Sequence, residues 1–382
     1  MQYRNFGRLN LEISALGFGS MRLPTIDNQE NKINETEAER IISYAFDNGV
    51  NYIDTAYPYH GGNSEITVGK ILKNGYRDKV YLADKLPVWN VNCYDDLDKI
   101  FYEQLKKLQT DRIDFYLLHN LGERFWKQIK NVDFIKWIEE KKRDGMITYF
   151  GFSFHDTVDT FKEIVDSYDW DFCQIQYNYM NETIQAGTEG LEYAYKKQLP
   201  IIVMEPLLGG SLTGFSKHIQ NIFDLENKNP VEMALKWLWN KKEVSFMLSG
   251  MSSIEQVKQN ISYASNSKIG CLTSSESNLI KKVQIELSKT ISIPCTKCNY
   301  CTPCPSKINI PYIFSLYNEA MKYANSEITN LQLNKALYNN LPKEVNASAC
   351  VKCKKCEPKC PQTINITDLL EKAHNKLYDP KL

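Results

Sequence analysis

Eight short apolar, β-branched runs punctuate the first 250 residues: ALGFGSM (15–21), VNYIDTA (50–56), KVYLADKL (79–86), RIDFYLLH (112–119), ITYFGFSF (147–154), FCQIQYN (172–178), PIIVMEP (200–206) and SFMLSGM (245–251). Their hydrophobicity is continuous rather than alternating, as expected of strands covered on both faces. Between them lie stretches whose apolar positions recur every three or four residues, with charges on the other face. ETEAERIISYAFDNG opens on acids and ends at Gly49, and DDLDKIFYEQLKKL and FIKWIEEKKRDG follow the same pattern. Each predicts an amphipathic helix, the first with a glycine stop.

Eight strands alternating with helices predict an α/β fold, a (β/α)8 TIM barrel. A doubly wound open sheet is the competitor, but no G-x-G-x-x-G follows the first strand. Ahead of that strand, YRNFGRLNLEIS reads as a hairpin turning near Gly7 to Asn10, placed to plug the barrel floor. Near residue 290 the pattern changes. We expect a barrel domain over 1–289 and a small, mainly helical domain over 290–382.

Composition narrows the class. A hydrophobic content of 43%, 24% charged residues and zero formal net charge describe an ordinary globular chain. They give no reason to expect nucleic acid or an acidic membrane as partner. No apolar run reaches membrane-spanning length, and MQYRNFGRLN lacks the apolar centre of a signal peptide, so a cytoplasmic location is expected. Eight of the eleven cysteines fall between Cys295 and Cys360. In a reducing compartment such a cluster points to metal ligands rather than disulfides. Cys93, Cys173 and Cys271 read as buried small apolar residues.

The barrel's chemistry is expected at the C-terminal ends of its strands. Asp54, Lys85 and His119 end the second, third and fourth strands, and Tyr59 follows on the next loop. Each has an ordinary structural explanation by itself; convergence on adjacent strands is harder to explain that way. An ammonium beside a phenol lowers its pKa from about 10. A carboxylate offsets the burial of the ammonium, and a neutral imidazole can orient a substrate oxygen. The product is a general acid aimed at a carbonyl, and a nicotinamide would have to bring the hydride.

These residues resemble the aldo-keto reductases over roughly the first 265 positions. The resemblance is carried by MQYRNFGRLNLEISALGFGSMRLP, YIDTAYPYHGGNSE, YLADKL, IDFYLLHN, YFGFSF, QIQYN and SGMSSIEQVKQN, in that order. It implies that Asp54, Tyr59, Lys85 and His119 form a catalytic tetrad acting on a small carbonyl or alcohol substrate. It also implies nicotinamide contacts at Ser153, Gln174 and Met204, a diphosphate path at Pro206, Leu207 and Gly209, and further nucleotide contacts at Ser249, Gly250, Gln256 and Asn260. NADP(H) is implied by family habit. NAD(H) stays open, because Gly250 and Gln256 stand where a Lys and an Arg commonly hold the 2′-phosphate.

The C-terminal cysteines form two quartets. CVKCKKCEPKCP carries Cys350, Cys353, Cys356 and Cys360 in the C-x2-C-x2-C-x3-C-P run of a bacterial 4Fe-4S site. CTKCNYCTPCP carries Cys295, Cys298, Cys301 and Cys304, with the last gap one residue shorter. Zinc is the alternative, but it takes two C-x2-C pairs across a longer loop. CPSKINIPYIF and CPQTINITDLL repeat the same element, so two equivalent 4Fe-4S clusters are expected. In two-cluster ferredoxins the Cys before Pro serves the other cluster. The same exchange here would group Cys295, Cys298 and Cys301 with Cys360, and Cys350, Cys353 and Cys356 with Cys304. Reductases of this family that carry such a domain occur among anaerobic microbes. Two other functions remain open: an iron–sulfur electron-transfer protein whose barrel binds substrate or a redox partner, and a reductase whose clusters are structural.

Overall fold

The computed structural model describes residues 1–27, 29–289, 293–322 and 328–380. The chain divides into two compact units, Met1–Pro206 with Ala234–Leu272, and Leu207–Met233 with Thr273–Leu382. The boundary expected at 289/290 borders residues 290–292, which lie outside the described residues.

The first unit opens with the expected hairpin, β1 (Tyr3–Asn5) antiparallel to β2 (Glu12–Ser14). Eight parallel strands then close into a barrel: β3 (Leu16–Gly19), β4 (Tyr52–Asp54), β5 (Tyr81–Leu86), β6 (Ile113–Leu121), β7 (Ile147–Phe154), β8 (Phe172–Gln176), β9 (Ile201–Met204) and β10 (Phe246–Gly250). They are hydrogen-bonded in that order, with β10 returning to β3. Every apolar run therefore became a strand, and closure leaves no sheet edge exposed.

Helices follow the strands. They include α1 (Glu35–Asp47), α2 (Asn63–Lys73), α3 (Tyr94–Leu108), α4 (Glu123–Ile129), α5 (Phe134–Arg143), α6 (Val158–Asp166) and α7 (Gly187–Lys196). The hairpin does plug the floor. Phe6, fully buried, packs on Phe115, Phe172 and Phe246 with ring centroids 5.6, 6.2 and 5.6 Å away. The tight turn that delivers it needs Gly7 at φ +53°, where an added Cβ would lie 2.8 Å from Pro200.

In the second unit, α8 (Lys217–Leu225) and α11 (Ser274–Ser288) are joined by His218 to Glu286 at 3.3 Å. α9 (Pro230–Trp239) spans the division at Met233/Ala234, and α10 (Ile254–Ser265) belongs to the first unit. The cysteine segment carries α12 (Ile310–Lys322), α13 (Ile328–Asn339) and α14 (Ile366–Leu377). Its small core draws on both sequence repeats at matching places: Ile308 and Ile310 from the first, Ile364 and Ile366 from the second. The lone cysteines need one correction. Cys173 is buried, but Cys93 is exposed at the start of α3 and Cys271 is half-buried. A helix N-terminus keeps its first amides near solvent, which explains Cys93.

Candidate active site and cysteine centres

Three strand ends bring the expected tetrad together. Lys85 Nζ donates to Asp54 Oδ1 at 2.6 Å and to the Thr55 carbonyl at 2.7 Å. Both charged side chains are almost fully buried. Burial outweighs the ion pair for Asp54, so its carboxyl lies above the usual carboxylate range despite the ammonium beside it. Nζ also sits 5.0 Å from the centroid of the Tyr59 ring. Tyr59 begins a short 3-10 turn, Tyr59–Gly62, in which His60, Gly61 and Gly62 all have positive φ. The His60 ring pins this turn, with Nδ1 donating to the Glu30 carbonyl at 2.7 Å and Nε2 accepting from the Leu23 amide at 3.3 Å. His60 is therefore structural.

His119 stands edge-on to Tyr59, ring centroids 6.2 Å apart. Pairing of β6 with β7 shifts register between Leu118 and Leu121, and Asn120 adopts φ +61°. Such an irregularity re-aims the neighbouring side chain. Burial, then Lys85 and His155, hold His119 well below its ordinary pKa, so it is a neutral imidazole. An ammonium, a phenol and a neutral imidazole converging on one spot can donate a proton to a carbonyl oxygen and hold that oxygen.

Sequence reasoning assigned no role to several neighbours. Trp89 packs against His119, ring centroids 5.1 Å apart and planes tilted by 51°, and only its position just past the Lys85 strand hinted at this. His155, two residues beyond Ser153, is a second such neighbour. It bonds Gln185 Oε1 at 3.2 Å, and desolvation lowers its pKa to about 4.

The expected nucleotide residues divide between the units. In the first, Ser153 Oγ accepts from the Asn120 amide at 2.8 Å, and Gln174 Nε2 reaches Met204 Sδ at 3.5 Å. Asn260 Nδ2 donates to Ser249 Oγ at 3.2 Å. Gln256 is exposed and accepts from the Ser252 amide at 2.8 Å, folding over the start of α10. Pro206 is buried at the end of this unit. Gly250 has a neighbour that periodicity could not reveal: a Cβ placed there would lie 2.9 Å from Arg22 Cγ. Leu207 and Gly209 belong to the second unit, where a Cβ on Gly209 would lie 2.6 Å from the Thr296 carbonyl.

The cysteine loops are twins in backbone as well as sequence. Positive φ recurs at matching non-glycine residues: Lys297 with Lys352, Asn299 with Lys354, and Lys307 with Thr363. Left-handed lysines cost of order 1 kcal/mol each and persist only where surroundings require them. Alternating backbone handedness turns successive amides inward into a nest suited to an anionic cluster. Cys304 lines a cavity with Cys350, Cys353 and Cys356, and Cys301 also borders it. Burial raises the Cys301 thiol, with Cys298, Cys295 and Cys360 adding to it. Burial likewise pushes Cys356 up to about 11, with Cys304 and Cys350 among its neighbours. Among the described residues no three Cys, His, Asp or Glu side chains close to the spacing of one metal ion. A cubane is several atoms across, so its thiolates stand wider apart than single-ion ligands. The donor set fits such a cluster, because its binding would replace the thiol protons.

Comparison with known proteins matches two stretches of the chain. The model of the Aldo/keto reductase family matches residues 15–284. The chain belongs to this family. A 4Fe-4S dicluster domain matches residues 294–365. Among aldo/keto reductase relatives, the uncharacterized oxidoreductase YqkF of Bacillus subtilis (strain 168) is 27% identical over 295 residues, spanning 69% of this chain and 91% of that protein. L-galactose dehydrogenase of Arabidopsis thaliana is 26% identical over 287 residues, 68% of this chain and 87% of its own. Aldo-keto reductase AKR11C1 from Bacillus halodurans, in its holo form, superposes with a TM-score of 0.62 at 28% identity, covering 74% of this chain and 96% of its own. An aldo/keto reductase from Klebsiella pneumoniae in complex with NADP and acetate shares the fold at 21% identity and TM-score 0.61, covering 74% of this chain and 96% of its own. No helix among the described residues is long and apolar enough to cross a membrane.

Proposed function

We propose that this member of the family reduces small aldehydes or ketones, with NADPH as hydride donor and Tyr59 as general acid. The observation that carries the reading is Lys85 Nζ, buried 2.6 Å from Asp54 Oδ1 and 5.0 Å from the Tyr59 ring. The nicotinamide, when bound, supplies the hydride. Tyr59 gives its hydroxyl proton to the carbonyl oxygen as that oxygen gains charge. Lys85 steadies the resulting phenolate, and Asp54 keeps the ammonium in place. Neutral His119 holds the carbonyl oxygen by a hydrogen bond, and Trp89 fixes the imidazole plane.

Ser153, Gln174, Met204, Pro206, Leu207, Gly209, Ser249, Gly250, Gln256 and Asn260 would hold the nucleotide. NADP(H) is supported by the NADP bound in the Klebsiella relative. NAD(H) remains the competitor, since Gly250 and Gln256 offer no cation. Two 4Fe-4S clusters would be held in crossed sets, Cys295, Cys298, Cys301 with Cys360 and Cys350, Cys353, Cys356 with Cys304. They exchange single electrons when present. The domain boundary belongs between 289 and 290, between the two family matches at 15–284 and 294–365. A cytoplasmic setting suits thiolate-held clusters.

A second reading has one observation in its favour. Cys353 and its neighbours Val351, Lys352, Lys354 and Lys355 are all exposed. That rim suits single-electron exchange with an electron-transfer protein. Anaerobic assay of Tyr59→Phe separates the readings. Carbonyl reduction falls by about 10²–10⁴-fold if Tyr59 is the acid, while nucleotide binding persists. Tyr57→Phe, two residues away, stays within about threefold of wild type. A dead Tyr57→Phe beside an active Tyr59→Phe would refute the assignment.

A further inference from the structure

Behind Lys85 lies a buried polar cluster that the proton chemistry does not use. Successive strand residues face opposite ways, so Asp84 points out of the barrel toward α2 and α3 while Lys85 points to the site. Asp84 meets Gln104 of α3, whose Nε2 donates to Asp84 Oδ2 at 2.8 Å and lies 3.1 Å from Glu65 Oε1 of α2. Tyr116 of β6 donates to Gln104 Oε1 at 2.6 Å. All four side chains are completely buried. Lys107 reaches in from the surface to Glu65 at 3.0 Å and also pairs with Glu103 at 2.8 Å.

A helix–strand seam is ordinarily apolar, and burying two carboxyl groups there costs stability that hydrophobic residues would not. What the cluster accomplishes is visible in the strand. Pairing of β5 with β4 ends where Asp54 meets Ala83, and the Ala83 carbonyl takes its last bond from the Thr55 amide at 2.9 Å. Backbone groups two residues apart on a strand face the same neighbour. The Lys85 amide and carbonyl thus face an edge where β4 has already ended, yet they must be paired. Asp84 Oδ1 accepts from the Lys85 amide at 2.8 Å, and Gln104 Nε2 donates to the Lys85 carbonyl at 3.0 Å.

We propose that Asp84 and Gln104, backed by Glu65 and Tyr116, are positioning residues that replace the missing strand beside Lys85 and set where its ammonium stands between Asp54 and Tyr59. This rests on the tetrad reading above. Burial and the nearby Glu65 carboxylate raise the Asp84 carboxyl well above the usual carboxylate range. Glu65 keeps its charge partner in Lys107, and the charged or titratable groups facing Asp84 are Glu65, Lys85 and Tyr116. Asparagine keeps the Oδ1 acceptor for the Lys85 amide, but its Nδ2 takes the place of the Oδ2 that accepts from Gln104.

The test uses the full chain with its clusters, purified without oxygen, with 4-nitrobenzaldehyde as the carbonyl probe and NADPH binding followed by fluorescence. Asp84→Ala is expected to lower kcat at least about tenfold, since small misplacements of a reacting group are costly, with KM and NADPH affinity held within about twofold. The pH midpoint of kcat shifts with it, because the ammonium no longer sits where it tunes Tyr59. Asp84→Asn, which keeps the acceptor for the Lys85 amide but not the one for Gln104, should lose less kcat than Asp84→Ala. Should Asp84→Ala fail to fold, Gln104→Met reports instead, as it keeps volume but frees the Lys85 carbonyl. A fall of at least about fivefold in kcat alone supports the proposal. A folded Asp84→Ala or Gln104→Met with wild-type kcat and pH profile overturns it. Lys85→Met runs alongside: if that variant stays active, the tetrad reading has failed rather than the positioning role.

Discussion

The barrel site and the cysteine loops solve opposite problems. Around Lys85 the protein supplies every partner itself: Asp54, the Thr55 carbonyl, Asp84 and Gln104 all lie within 2.6–3.0 Å of its polar atoms. The cysteine loops instead spend backbone strain at six left-handed residues to hold thiols against a small apolar core. Preorganisation by the chain gives a site whose shape survives alone. Preorganisation for a guest gives a fold whose stability is coupled to that guest.

Removing iron should therefore break the comparison most sharply. Chelation under anaerobic, reducing conditions is expected to abolish hydrogen-exchange protection in α12 and α14 while the barrel strands keep theirs. Equal protection before and after chelation would show that the small core needs no clusters. Within the cluster-loaded domain, iron contacts from Cys304 and Cys295 to the same cluster would rule out the crossed sets.

The barrel has its own point of failure in the floor plug. Phe6→Ala removes a fully buried ring and should cost about 3–5 kcal/mol in denaturant unfolding, without lowering the iron content of the native protein. A loss below about 1 kcal/mol would mean the floor collapses around the gap.

Acid titration probes the same unit more gently. The folded pKa values of His119 and His155 lie below the ordinary imidazole value, that of His155 at about 4. Below about pH 6.5 the unfolded chain binds protons the folded one refuses. Stability should thus decline as pH falls from there, by about 1.4 kcal/mol per pH unit for each such proton. For His155 the decline ends near its folded value of about 4. Asp54 opposes it, since its raised carboxyl takes up a proton more readily when folded. His155→Gln should flatten the slope; an unchanged slope would place the acid sensitivity elsewhere.

The smallest expected effect concerns the coenzyme. Gln256→Arg should shift preference toward NADP(H) over NAD(H) by about tenfold, about 1.4 kcal/mol, read by titrating both nucleotides. No shift would put the 2′-phosphate away from α10.

The eight strands were legible because covering both faces forces a continuous apolar run, as in PIIVMEP and SFMLSGM. The tetrad was legible because its members end three consecutive strands or follow one. The repeated CPxxIN element announced twin loops before their matching φ values were seen. What stayed hidden depends on approach between distant segments. Nothing near Asp84 in sequence foretells Gln104 and Glu65, and nothing at Gly250 foretells Arg22. A polar residue in an apolar strand reads as a boundary until the helices behind it are in place. Lone cysteines misled for a related reason: Cys93 is apolar by type but sits where a helix begins, near solvent.

Arg22 beside Gly250 carries a steric consequence. A side chain at 250 would start 2.9 Å from Arg22 Cγ and 3.1 Å from Arg22 Cβ, and no side-chain rotation moves the Cβ. A lysine at 250, the familiar phosphate anchor, is then crowded until residue 22 shifts or shrinks, and a shrunken residue 22 has lost one cation. The two positions are thus coupled sterically: what position 250 can accept depends on what stands at 22.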